Sequence, residues 1–147
     1  MIALDTNFLV YAHRTDNPFH ALARAAIGRL ASGLLPWGVP VVCVHEFLAV
    51  VTNAKIFKQP TPSQLAFDQI EALLAVPTAL LLMPGAQHVA VLRQISGAAG
   101  SQGAQFHDAR IAAIALENGV SELWSADRDF RAFAQLKVRS PQDLVQV

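Results

Sequence analysis

Apolar residues fall in short blocks separated by longer mixed stretches, the pattern of strands and helices taking turns along a chain. Ile2-Ala3-Leu4 is the first block, closed by Asp5-Thr6-Asn7, and a short helix is expected around Phe8 to Ala12. Asn17-Pro18 supplies an N-cap followed by Pro at the first helical position, which opens a helix through about Ala31. Gly33, Pro36, Gly38 and Pro40 mark the turn into a second apolar run, Val39 to Val44, expected as a strand with a helix from Val44 to Ala54 behind it. Thr61-Pro62-Ser63-Gln64 has the spacing of a capping box that starts a helix reaching Ala75. Ala79 to Met83 is the next strand, Gly85 to Ile95 the next helix, and Ser96 to Gly103 reads as a flexible loop. In the stretch Phe106 to Asn118, Asp108 shares a helical face with Ile111, Ala112, Ala115 and Leu116, so its carboxylate points toward the body of the protein. Asn118-Gly119 ends that helix, Ser121 to Ala126 forms a fourth strand, and Leu136 to Val138 a short fifth. This alternation predicts the α/β class with a mainly parallel sheet.

Composition narrows the class. With 147 residues, 53% apolar and 15% charged, the chain is expected to form one compact domain over residues 1–147, without repeats, low-complexity tracts or a Gly/Ser linker. The single cysteine, Cys43, permits no intramolecular disulfide and reads as a small buried hydrophobe. The longest apolar stretch, Ala72 to Ala86, is broken by Pro77, Thr78, Pro84 and Gly85 and falls short of a membrane span. No basic segment and apolar run of a secretory signal opens the chain, so a reducing cytoplasm is the expected compartment.

Four acids change the picture. Asp5, Glu46 and Asp127 each follow an apolar strand candidate, and Asp108 opens a crossover helix whose first turn lies at that same carboxyl edge of a parallel sheet. Each has a plain local explanation: a helix cap for Asp5 and for Asp127 with Asp129, a favourable helix dipole for Glu46 and Asp108. Those explanations do not account for all four converging on one edge. Four carboxylates in one cleft repel unless a hard cation holds them, which predicts a Mg2+ or Mn2+ site suited to phosphodiester chemistry. Formal net charge is zero, yet setting aside these four and Asp129 leaves six acids against eleven Lys and Arg. An acidic pocket in a mildly basic body suits a polyanionic substrate, although the basic residues are spread along the chain as a solvated surface would have them.

Leu4-Asp5-Thr6-Asn7, Glu46, Phe106-His107-Asp108-Ala109-Arg110-Ile111-Ala112-Ala113 and Leu123-Trp124-Ser125-Ala126-Asp127-Arg128-Asp129-Phe130 together resemble the PIN-domain family, within it the VapC-type ribonuclease toxins. The resemblance spans nearly the whole chain and implies a three-layer α/β/α fold with a mainly parallel sheet of four to five strands. It also implies a metal-dependent endoribonuclease that leaves a 5′-phosphate and a 3′-hydroxyl, a homodimer, and a VapB-type antitoxin that blocks the site. Carried over by position, the metal-binding quartet falls on Asp5, Glu46, Asp108 and Asp127. Asn7 and Ser125 match polar positions that orient acids or substrate, and Asp129 is an auxiliary acid not expected to ligate directly. Arg110 and Arg128 are candidates for phosphate contacts, since a planar guanidinium matches phosphate geometry. His45 and His107 neighbour ligand candidates in sequence and therefore fall on other faces of their helices. The apolar helices from Asn17 to Ala31 and from Val44 to Ala75 are the surfaces expected to meet a second copy and the antitoxin.

The competing readings are an Asp-dependent phosphatase and a PIN fold kept only for binding. A haloacid-dehalogenase-like phosphatase requires a second acid two residues beyond the first, where this chain has Asn7; a response-regulator receiver requires an acidic pair near the first strands and a Lys late in the sheet, and the only late Lys is Lys137, near the C-terminus. A binding module would be expected to have lost a ligand, and all four acids are present.

Overall fold

The computed structural model describes residues 1–145. Five strands, β1 (Ile2–Leu4), β2 (Trp37–Pro40), β3 (Ala79–Leu82), β4 (Glu122–Trp124) and β5 (Lys137–Arg139), lie in the order β3-β2-β1-β4-β5, every neighbouring pair parallel. Six helices cover the sheet: α1 (Thr6–His13), α2 (His20–Ser32), α3 (Val41–Val51), α4 (Ser63–Leu74), α5 (His88–Ala99) and α6 (Gln105–Glu117). The result is a three-layer α/β/α fold. Its central strand β1 pairs with β2 on one side and β4 on the other. The chain works outward from β1 to β3, then crosses back through α5 and α6 to β4. A crevice at the carboxyl edge opens where that direction reverses, between β1 and β4.

The core explains where sequence and structure part. Val39 to Val44 was expected as the second strand, but the ladder ends at Pro40, which pairs with Leu82. The helix begins at Val41. Burial of Cys43, Phe47 and Val51, four residues apart on one helical face, outweighs the few tenths of a kcal/mol by which β-branched residues disfavour a helix. Glu46 therefore sits in the second turn of α3, where the helix dipole has faded as an explanation for it. Ser96 to Ala99, read as loop, completes α5, which stops at Gly100 in the left-handed conformation (φ 67°). The capping box at Thr61 does not form: Pro62 holds the N-cap position of α4, and the buried Thr61 hydroxyl instead meets His13 Nε2 at 2.8 Å. In β2, a Cβ on Gly38 would lie 2.6 Å from the Leu82 side chain, so the buried Leu82 packs into the space that glycine leaves.

Exposed apolar side chains are distributed differently from expectation. Leu65 and Phe67 of α4 and Ile56 behind α3 are exposed, but α2 exposes no large apolar side chain. Leu80, Leu81 and Met83 along the edge strand β3, with Leu34 and Leu35 in the loop before β2, make up much of the rest. Among the described residues no helix is long and apolar enough to cross a membrane.

Candidate active site

Asp5 takes its place from both elements it joins. Its backbone N–H donates to Trp124 O (3.0 Å), extending the β1–β4 ladder, while its side chain caps α1 by accepting from Thr6 N at 2.7 Å. Oδ1 also faces Cys43 Sγ (3.8 Å), and Oδ2 accepts from Ser125 Oγ (2.7 Å) and Asn7 Nδ2 (2.9 Å). Asp5 is thus both the helix cap and the floor of the crevice. It is 4% exposed, and burial, reinforced by the charges of Glu46 and Asp108, raises its pKa to about 6 despite the bonds from Ser125 and Thr6.

Ser125 and Asn7 link this floor to the turn after β4. Ser125 Oγ accepts from Asp127 N (3.0 Å) and Asn7 Nδ2 (3.1 Å), and Asn7 Oδ1 accepts from Ala126 N (3.0 Å). Every polar atom of the Asn7 amide and Ser125 hydroxyl therefore works on the acids or on the turn that carries them. Asp127 caps the 3-10 turn Arg128–Ala132 through Oδ1, which accepts from Asp129 N at 2.9 Å. Local capping and convergence are compatible here, because one oxygen caps while the carboxylate as a whole faces Asp108.

Carboxylate oxygens of Asp108, Asp127 and Asp129 all lie within 4.8 Å of one another. Asp129, expected only as an auxiliary acid without direct ligation, stands as near as the others because its backbone N–H is tied to the capping carboxylate of Asp127. Asp108 projects from the first turn of α6 and is half-buried; desolvation first, then the charges of Asp127, Asp129 and Glu46, raise its pKa to about 6, with His107 pulling the other way. Glu46 reaches in from α3 with both oxygens occupied: Oε2 accepts from the Thr6 hydroxyl (2.6 Å) and Oε1 from Arg110 Nη2 (2.9 Å). Glu46 stands close enough to Asp108 to help raise its pKa, and Glu46 and Asp108 together help raise that of Asp5, so both flank the trio. All donors are carboxylate oxygens, and their mutual repulsion and burial are what a hard cation relieves, so the set fits Mg2+ or Mn2+.

The arginines divide. Arg110, expected as a phosphate contact, is engaged by Glu46, and its Nε is buried without a partner. Arg128 is exposed beside Asp127, as are His45 and His107 on the outer faces of α3 and α6. Three contacts had no signal in the sequence: the Arg110 guanidinium and the Thr6 hydroxyl on Glu46, and the Cys43 thiol on Asp5, that thiol pushed well up by burial. Thr6 is adjacent to Asp5 in the motif, but its partner lies forty residues away.

This fold and acidic crevice define a class, and residues 2–136 match the PIN domain model. The chain belongs to the PIN-domain family, in its VapC branch. Ribonuclease VapC43 of Mycobacterium tuberculosis is 43% identical over 143 residues, 97% of each chain. Among solved structures, VapBC2 from Rickettsia felis, bound to a promoter DNA fragment, superposes with a TM-score of 0.70 at 16% identity over 95% of this chain and 98% of its own. A toxin–antitoxin complex from Klebsiella pneumoniae gives 0.60 at 16% identity over 96% and 98%.

Proposed function

We infer that this protein is a Mg2+- or Mn2+-dependent endoribonuclease, the toxin of a toxin–antitoxin pair, acting through Asp5, Glu46, Asp108 and Asp127 with Asp129 beside them. The observation that carries this reading is the trio of carboxylates within 4.8 Å at the crevice where the strand order reverses, with Asp5 and Glu46 alongside. The ribonuclease relative at 43% identity over nearly the full length supports RNA as the substrate. A bound hard cation supplies a more acidic water and neutralises charge on a phosphodiester.

The protein's own groups do the rest. Asp5, Glu46 and the aspartate trio would hold the cation, and Asn7 and Ser125 fix Asp5 and the Asp127 turn so that these ligands would not need to reorganise. Exposed Arg128 beside the acids meets the RNA backbone. Bound Asn7 orients an acid rather than exchanging protons, which removes the acid/base group that an Asp-dependent phosphatase requires. Products are a 5′-phosphate and a 3′-hydroxyl.

A VapB-type antitoxin is the partner, and a groove of about 510 Å3 between α1, α2, α3 and α4, lined by Leu9, His13, Ile27, Phe47, Ile70 and Leu73, is where a segment of it docks. A second copy of the chain completes a homodimer, in a reducing cytoplasm. The test is cleavage of RNA by purified, antitoxin-free protein: activity with Mg2+ or Mn2+ that stops with EDTA is expected, and cleavage that persists in EDTA overturns the mechanism. Light scattering on the same sample reads the dimer, and a strict monomer at micromolar concentration counts against it.

A further inference from the structure

The geometry points to Thr6 as a positioning residue that sets Glu46 for the cation, an inference that rests on the metal-site reading above. Among the acids of the crevice, Glu46 has the longest arm and the most rotamer freedom to lose. Asp5 is fixed by donors on both oxygens and Asp127 by its own cap, but α3 offers Glu46 no local bond. Its orientation comes from elsewhere. The Thr6 hydroxyl donates to Oε2 at 2.6 Å, from a residue that is 9% exposed and is the first of α1, directly after Asp5. A β-branched side chain at a capped helix start is a stiff donor. It ties the position of Glu46 to that of Asp5, so the carboxylate that caps α1 and the one that projects from α3 move as one.

Arg110 holds the other oxygen, but the two donors are not equivalent. The guanidinium brings a positive charge that offsets the negative charge Glu46 offers a cation, whereas the neutral hydroxyl orients the carboxylate and leaves its charge whole. Each oxygen keeps a lone pair beyond the one in use. Thr6 therefore contributes to affinity through Glu46 without touching the cation.

Mn2+ titration of the full-length chain, followed by the paramagnetic resonance signal of free Mn2+, tests this. Thr6→Val, of nearly the same shape without the hydroxyl, is expected to weaken Mn2+ about tenfold to a hundredfold, the range for losing a partner that orients a ligand. Thr6→Ser, which keeps the hydroxyl, is expected to retain wild-type affinity. In a Glu46→Gln background, adding Thr6→Val should cost nothing further, because the residue it acts through is already changed. Thr6→Ala carries the same comparison if the valine variant does not fold. Wild-type affinity in Thr6→Val, or an equal loss in the Glu46→Gln background, overturns the role of Thr6 alone; a wild type that binds no Mn2+ overturns the metal site and this inference with it.

Discussion

Ser125 Oγ donates to Asp5 Oδ2 across 2.7 Å, joining the turn after β4 to the end of β1, 120 residues apart in the chain. The same oxygen accepts from Asp127 N and Asn7 Nδ2, so one hydroxyl holds two of the acids and the amide between them. Ser125→Ala strands these donors in a site that is 1% exposed, which should cost about 1–3 kcal/mol of stability in urea denaturation. It should also weaken Mg2+ binding, read as a smaller Mg2+ shift in melting temperature. Unchanged stability and an unchanged Mg2+ shift would mean that water replaces the hydroxyl and that the network does not organise the site.

Asp108→Asn separates a cation site from a set of independent helix caps. In the metal-free protein the substitution removes a charge that Asp127, Asp129 and Glu46 all oppose, so the melting temperature in EDTA should hold or rise. Cleavage should collapse, and the stabilisation by Mg2+, which follows from binding only to the folded state, should shrink sharply. Asn caps a helix about as well as Asp. Retained cleavage with an unchanged Mg2+ response would therefore remove Asp108 from the site.

The acids were legible in the sequence because each stands at a boundary that local pattern reveals: Asp5 after Leu4, Asp108 on the inward stripe of α6, Asp127 after the β4 block. The boundary before Glu46 was misplaced, since Val41-Val42-Cys43-Val44 has strand composition and only packing of Cys43, Phe47 and Val51 makes it helical. Ser96 to Ala99 misled for the opposite reason: small residues and Gly97 look loop-like, yet the true stop is the positive φ of Gly100. The bonds that fix the site, Thr6 to Glu46, Arg110 to Glu46 and Cys43 to Asp5, could not be read at all. They depend on which helices pack side by side, and no local rule links residues 38 to 64 positions apart.

The pairing of Arg110 with Glu46 yields its own test. Both side chains are about a third exposed, so the ion pair contributes less than about 1 kcal/mol, and Arg110→Gln should leave the metal-free melting temperature nearly unchanged. Removing a positive charge from the rim should tighten Mn2+ binding. Should Arg110 also leave Glu46 to hold a phosphate once a cation is bound, cleavage falls in the same variant although the cation binds better. Weaker Mn2+ binding in Arg110→Gln would show instead that the guanidinium acts mainly to orient Glu46.

At the proposed cation site a proton and a cation would compete for the same oxygens, which fixes the sign of the pH dependence expected. Asp5 and Asp108 have pKa values of about 6 in the metal-free fold, against a usual 3.8. Between about pH 4 and 6 the folded chain therefore binds more protons than the unfolded one, and stability falls as pH rises through that window. Buried Asp5 contributes on the order of 3 kcal/mol at most to this fall, and half-buried Asp108 a smaller, screened share. In EDTA the melting temperature should be higher at pH 5 than at pH 7.5. With excess Mg2+ the trend should reverse, because the ligands must be ionised to bind: the Mg2+ shift is expected to be small at pH 5 and to grow as pH passes 6. Asp108→Asn should flatten both curves by removing one of the two groups. A metal-free melting temperature that rises from pH 5 to 7.5 would mean that these carboxylates are not held in a shared, desolvated cleft, and the basis for placing a cation there would go with it.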